Sequence, residues 1–155
     1  EAVKFRLFCD LLGGVNITTV GDACTSASGS LGTLFTNSEA TVPNPTFRLQ
    51  GTGLPPGALT FLVLGFNKNW NPIPLGPLAP GCFLNTDQVF LLQSQTGTGG
   101  IRSTSALGHV SFNVPVPADG KLIGFCAAWQ MGTVDAKSTN ALPLVFTNGL
   151  RTTFY

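Results

Sequence analysis

The sequence spreads 19 glycines and 11 prolines along its whole length, and no long stretch between them keeps a 3.6-residue apolar period. A chain punctuated this often cannot propagate long helices, because proline removes a backbone donor and glycine carries the largest conformational entropy cost. What recurs instead is a period of two. In Val3-Lys4-Phe5-Arg6-Leu7-Phe8-Cys9, the residues Val3, Phe5, Leu7 and Cys9 share one face, and Lys4 and Arg6 lie on the other. Residues 47–50 and 109–114 alternate in the same way, the latter turning Val110, Phe112 and Val114 inward. Residues 58–66 form an apolar run of strand length, and residues 121–131 form a longer, aromatic one. Both are expected to be central strands, with Phe61, Val63, Val110, Phe112, Ile123, Phe125 and Trp129 buried. Residues 87–92 are a shorter strand candidate. Thr147-Asn148-Gly149 between two apolar runs reads as a hairpin turn. The pattern predicts an all-β fold, an Ig-like or jelly-roll-like β-sandwich of about eight or nine strands. Two stretches read as long loops: residues 67–80, with four prolines, and the Gly/Ser/Thr-rich residues 94–108.

At 155 residues the chain is one domain, and its charge is unusual. Only 10% of residues are Asp, Glu, Lys or Arg, against roughly 25% in an average globular protein. A net charge of +1 offers no basic face for nucleic acid and no polybasic stretch for anionic lipid. The longest apolar run is far short of the roughly 20 residues needed to span a bilayer, so no membrane insertion is expected.

Cys9, Cys24, Cys82 and Cys126 form no C-x-x-C pair, and His109 is the single histidine. That spacing does not suit zinc; an even cysteine count without metal spacing suits disulfides and an oxidising compartment. Four cysteines allow three connectivities, and proximity alone favours Cys9–Cys24. The chain begins at Glu1 rather than Met, as an exported protein does after its leader is removed. The expected location is extracellular or at the cell surface.

From Asn44 onward an ordered series of motifs stands out. It runs through Asn44-Pro45-Thr46-Phe47, Gly53-Leu54-Pro55-Pro56-Gly57-Ala58, Leu62-Val63-Leu64-Gly65 and Ile73-Pro74-Leu75. It continues through Pro80-Gly81-Cys82-Phe83-Leu84-Asn85, Val114-Pro115-Val116-Pro117, Leu122-Ile123-Gly124, Ala127-Ala128-Trp129-Gln130 and Asn148-Gly149-Leu150. In order and spacing the series resembles a small secreted β-sandwich module of exported proteins of planctomycete-type bacteria. Gly21-Asp22-Ala23-Cys24 looks like the turn at which such modules begin, although Thr147 stands where Ser is usual. The resemblance covers residues 21–155 as a single sandwich domain and leaves residues 1–20 as a strand-bearing N-terminal extension. It implies an extracellular setting and supplies no catalytic residues. It also implies pairing of Cys24 with Cys82, positions that recur together in the module, and leaves Cys9 and Cys126 as partners that would pin the extension to the central strand.

The residues that could carry chemistry read more simply as structure. His109 lies on the outward face of its strand, away from Val110 and Phe112, and not in a nucleophile-His-acid triad. The carboxylates Asp22 and Asp119 sit in turn contexts rather than as a glycosidase pair. No enzyme, metal or cofactor is expected. Trp70, between Asn69 and Asn71 on the proline-stiffened loop, is the candidate sugar platform, its ring stacking while the amides reach hydroxyls. The competing reading folds Trp70 back over the sandwich end. The function expected first is a non-catalytic structural protein, a self-assembling subunit of a filament or coat. Its N-terminal strand, through Val3, Phe5 and Leu7, would add to the next copy. The alternatives are a carbohydrate-binding or adhesive module and an accessory domain of a larger exported enzyme. The partners expected are further copies of the chain and, on the second reading, a polysaccharide.

Overall fold

A computed structural model of the chain describes residues 16–67, 70–87, 90–91 and 102–155. Among these are twelve strand segments, eight of them three residues or longer. That exceeds the expected eight or nine, because the additional segments are two-residue pairings inside loops. The largest sheet runs in the order β1 (Ile17–Val20), β12 (Gly149–Thr153), β10 (Cys126–Val134), β4 (Leu59–Gly65) and β7 (Phe90–Leu91). β11 (Leu144–Phe146) also pairs with β10, and β8 (Arg102–Ser103) with β4. A second sheet contains β2 (Thr33–Thr36), β3 (Arg48–Thr52) and β9 (Val110–Asn113). All pairs are antiparallel.

The register explains the burial. Trp129 pairs with Leu64 and Leu150, and Met131 pairs with Leu62, so these residues share the inner face of the large sheet. Leu34, Gly51 and Val110 line up across the small sheet, as do Leu49 and Phe112. The two inner faces meet in one core with Phe47, Leu54 and Phe154. A Cβ on Gly51 would stand 2.8 Å from the Met131 sulfur, so glycine is what lets the sheets approach here. The large sheet is covered on its other face too. Phe61 and Phe146 meet edge-on at 6.2 Å above Gly132, where a Cβ would enter the Phe61 ring. Over them lies a third layer made of β5 (Ile73–Pro74), a 3-10 turn (Gly76–Leu78) and β6 (Phe83–Leu84). The Cys24–Cys82 disulfide, bridging positions 58 apart, holds this layer down.

Several expectations change. Residues 121–124 are not strand. The Asp119 side chain accepts the Lys121 N–H at 3.0 Å and starts a 3-10 turn (Gly120–Leu122), which Gly124 ends at φ 82°. Ile123, expected in the core, is therefore 48% exposed. Phe125 and Phe61 are half-buried, whereas Val63, Val110, Phe112 and Trp129 are buried as expected. Asn148-Gly149 does not turn a hairpin. β11 and β12 lie end to end on the same side of β10, with three residues, 147–149, opposite two, 130–131. This is a β-bulge, made where one extra residue must fit into a continuous edge. The proline-rich loop contributes β5, and the Gly/Ser/Thr-rich loop contributes β8. Among the described residues of 87–92, Phe90–Leu91 are strand, and Asp87 accepts the N–H groups of Phe66 and Asn67 at 2.8 and 3.0 Å; residues 88, 89 and 92 lie outside the described residues. Ile17–Val20, placed in the extension, is a full strand of the large sheet, paired residue for residue with β12. The strand expected over residues 3–9 lies outside the described residues.

Candidate functional site

The residue singled out for sugar binding, Trp70, is half-buried. Its indole N–H donates to Leu84 O at 3.1 Å and its backbone N–H to Asn67 O at 3.2 Å. The ring thus closes the loop onto β6, and its one polar group is committed there. Asn71 is exposed, and Asn69 lies outside the described residues. His109, expected on the outward face of a strand, is exposed but lies just before β9, which begins at Val110; its backbone N–H donates to Ser105 Oγ at 3.1 Å. Among the described residues, no three His, Cys, Asp or Glu side chains gather as a metal site.

A wide groove of about 440 Å³ separates residues 55–59 from 134–137. The carboxylate at its edge, Asp135, is used for structure: it accepts the N–H of Ala27 at 2.7 Å and that of Lys137 at 3.2 Å, tying two loops together.

Among the described residues, an apolar groove of about 150 Å³ opens between the two sheets. Its origin lies in Val114-Pro115-Val116-Pro117. Val114 and Val116 donate to Phe47 O and Asn44 O at 3.0 and 2.9 Å, which keeps this stretch on the small sheet. Pro115 and Pro117 have no N–H for the opposite side, so no strand can pair there and bridge to the large sheet. The gap is left lined by Leu64, Phe66, Val116, Leu122, Phe125 and Phe154, with Ala127 and Trp129 as the floor. Phe66, Phe125 and Phe154 follow one another at ring-centre distances of 5.5 and 6.5 Å, and Phe154 meets Phe47 at 5.9 Å. The groove is not legible in the sequence, because its walls come from five separate stretches; the alternating Val-Pro pair is its one visible signal.

Cys24 and Cys82 are bonded to each other. Cys126, 3% exposed, opens β10 between the groove residues Phe125 and Ala127, and no described cysteine is free. The pairing of Cys9 with Cys126, and the assembly residues Val3, Phe5 and Leu7, fall on residues outside the description. No described helix is long and apolar enough to cross a membrane. Compared with known proteins, the chain matches no family model, no curated protein and no solved structure.

Proposed function

We propose that the chain is a non-catalytic extracellular structural protein, a subunit that assembles into a filament or surface coat through its N-terminal strand. The observation that carries this reading is the surface. Leu107 is 79% exposed, Leu31, Leu59 and Leu78 more than half, and Ile73, Ile123, Phe35 and Tyr155 between 38% and 48%. A single exposed leucine means little, but here eight large apolar side chains share a surface with only eight basic and seven acidic residues in the whole chain. Such a surface suits a subunit covered by neighbours better than a free monomer. The disulfide suits an oxidising location, and the motif series from Asn44 onward suits an exported sandwich module. One contact used head to tail yields a ring or an open filament.

Electron microscopy of the protein at rising concentration tests the reading. Polymers or rings are expected from the full chain, and folded monomers after deletion of residues 1–9. A full chain that stays monomeric at every concentration overturns it and returns the field to the adhesive module or the accessory domain. Turnover of glycans, esters or peptides by the pure chain would overturn the non-catalytic part.

A further inference from the structure

We infer that the outer face of the small sheet binds an acidic polysaccharide, a chain containing uronic acid, with the Phe35 ring under a sugar and Arg48 on its carboxylate. The face follows from the register. Leu34, Leu49, Val110 and Phe112 turn into the core, so the alternate positions of β2, β3 and β9 turn outward. Phe35 on β2 stands directly opposite Gln50 on β3, and Gln50 stands opposite Ser111 on β9. Two residues along β3, Arg48 stands opposite Asn113. Phe35 and Arg48 are exposed, and Gln50 and Asn113 are half-buried.

Three features point to a sugar chain of this charge. Phe35 is the one large apolar side chain that β2, β3 and β9 turn outward. A protein partner would need a larger apolar centre. A pyranose needs one ring against its C–H face and polar groups around it for its hydroxyls. The polar groups are available: Asn37, at the end of β2, is committed to Thr46 O at 2.9 Å and to the Arg48 N–H at 2.6 Å, whereas the side chains of Gln50, Asn113 and Arg48 make no hydrogen bond among the described residues. The charge has one sign, since the three strands carry Arg48 and no Asp or Glu. Glu39, the nearest acid along the chain, is hydrogen-bonded to the Tyr155 hydroxyl. A guanidinium beside a neutral amide suits a carboxylate. Diagonal neighbours on adjacent strands lie about 7–8 Å apart, so a sugar stacked on Phe35 brings its own or the next ring's carboxylate to Arg48. There Arg48 and Asn113 line a recess of about 130 Å³ between Pro45 and Pro115.

Isothermal titration of the full chain with oligogalacturonate, its methyl ester and poly-glutamate tests the site. Oligogalacturonate should bind, and poly-glutamate should not bind measurably. The methyl ester keeps the rings and loses the charge, so it should bind about tenfold more weakly. Phe35→Ala should weaken the acid about tenfold by removing the platform. Arg48→Gln should bring the acid down to the level of the ester and leave the ester unchanged. Leu78→Ala, exposed on the third layer, should bind like the parent. Thermal melting establishes that each variant is folded, and Gln50→Ala, opposite the ring, replaces Phe35→Ala if that variant does not fold. No binding of the acid, or binding that the Phe35 and Arg48 variants leave unchanged, overturns the site. Equal binding of acid and ester overturns the uronate, and equal binding of poly-glutamate overturns the sugar. Light scattering of the same samples reports association separately, so the site can fail while the assembly reading stands, and the reverse.

Discussion

Asn148 shows how one side chain can stand in for a strand. Its Oδ1 accepts the Leu34 N–H at 2.9 Å and its Nδ2 donates to Leu34 O at 3.2 Å, so it pairs with β2 in the opposite sheet as a backbone neighbour would. Thr147 beside it holds the bulge to β10, its Oγ1 accepting the Met131 N–H at 3.0 Å, and Gln130 ties the same region to the third layer through Phe83 O at 2.8 Å. All three are buried polar groups with partners, which is the condition under which burial is tolerated. Asn148→Ala would leave both Leu34 groups buried and unpaired. The expected loss is about 2–6 kcal/mol in urea unfolding, taking about 1–3 kcal/mol for each orphaned group. Tyr155, the single tyrosine, gives a second measurement at this scale. Its hydroxyl donates to the Glu39 carboxylate, and that hydrogen bond, with smaller contributions from desolvation and the nearby negative charge, raises its pKa above 10.0. A folded pKa raised above the unfolded one gives stability that is complete below the unfolded value and lost as pH rises through the folded value. The ultraviolet phenolate signal should therefore titrate above pH 10.0, and Glu39→Gln should move it back toward that value.

At the scale of elements, what decides a strand is its partner. β4, β10, β3 and β9 are legible in the sequence because each carries either an apolar run or a clean alternation, and each is flanked on both sides or buried on one face. β1 and β2 are not legible: Ile17-Thr18-Thr19-Val20 and Thr33-Leu34-Phe35-Thr36 are short and half polar, and only their pairing with β12 and β3 makes them strands. The bulge at 147–149 was hidden for a related reason. Asn-Gly suits a hairpin locally, but β10 offers an edge long enough for both flanking strands to pair with it. The candidate site divides in the same way. Trp70's loop could be found by composition, while the groove depends on which stretches the fold brings together. Three substitutions separate packing from pattern. Phe112, fully buried, should cost about 3–5 kcal/mol on truncation to Ala, and half-buried Phe125 clearly less. Gly132→Ala should cost about 1–3 kcal/mol, because the added methyl overlaps the Phe61 and Phe146 rings on a face that is already filled. Urea midpoints for the three variants check the ranking.

For the whole molecule the third layer matters most, because it puts a cover on the outer face of a sheet that a two-layer sandwich would leave to solvent. The cover is thin: β5 and β6 have two residues each, and the 3-10 turn between them has three. Its apolar contacts reach Phe61, Phe146 and Leu144 through Leu75, Ala79 and the disulfide itself. So small a layer would not stay down on hydrophobic contact alone, since a two-stranded hairpin is marginal by itself in water. The Cys24–Cys82 bond supplies the difference by closing a long loop in the unfolded chain. For positions 58 apart the chain-entropy relation gives about 4 kcal/mol. The double variant Cys24→Ser, Cys82→Ser, with Cys9 and Cys126 kept, should therefore lose about 2–5 kcal/mol in urea unfolding. The layer should also open locally before the sandwich melts, so the amides of Leu75 and of position 82 should lose hydrogen-exchange protection ahead of those of Met131 and Leu62. Leu75 donates to the backbone carbonyl at position 82 at 2.9 Å, across the base of the layer, which makes its amide the direct reporter. A loss below about 1 kcal/mol with Leu75 still protected would mean that Gln130 and the Trp70–Leu84 hydrogen bond hold the layer without the disulfide.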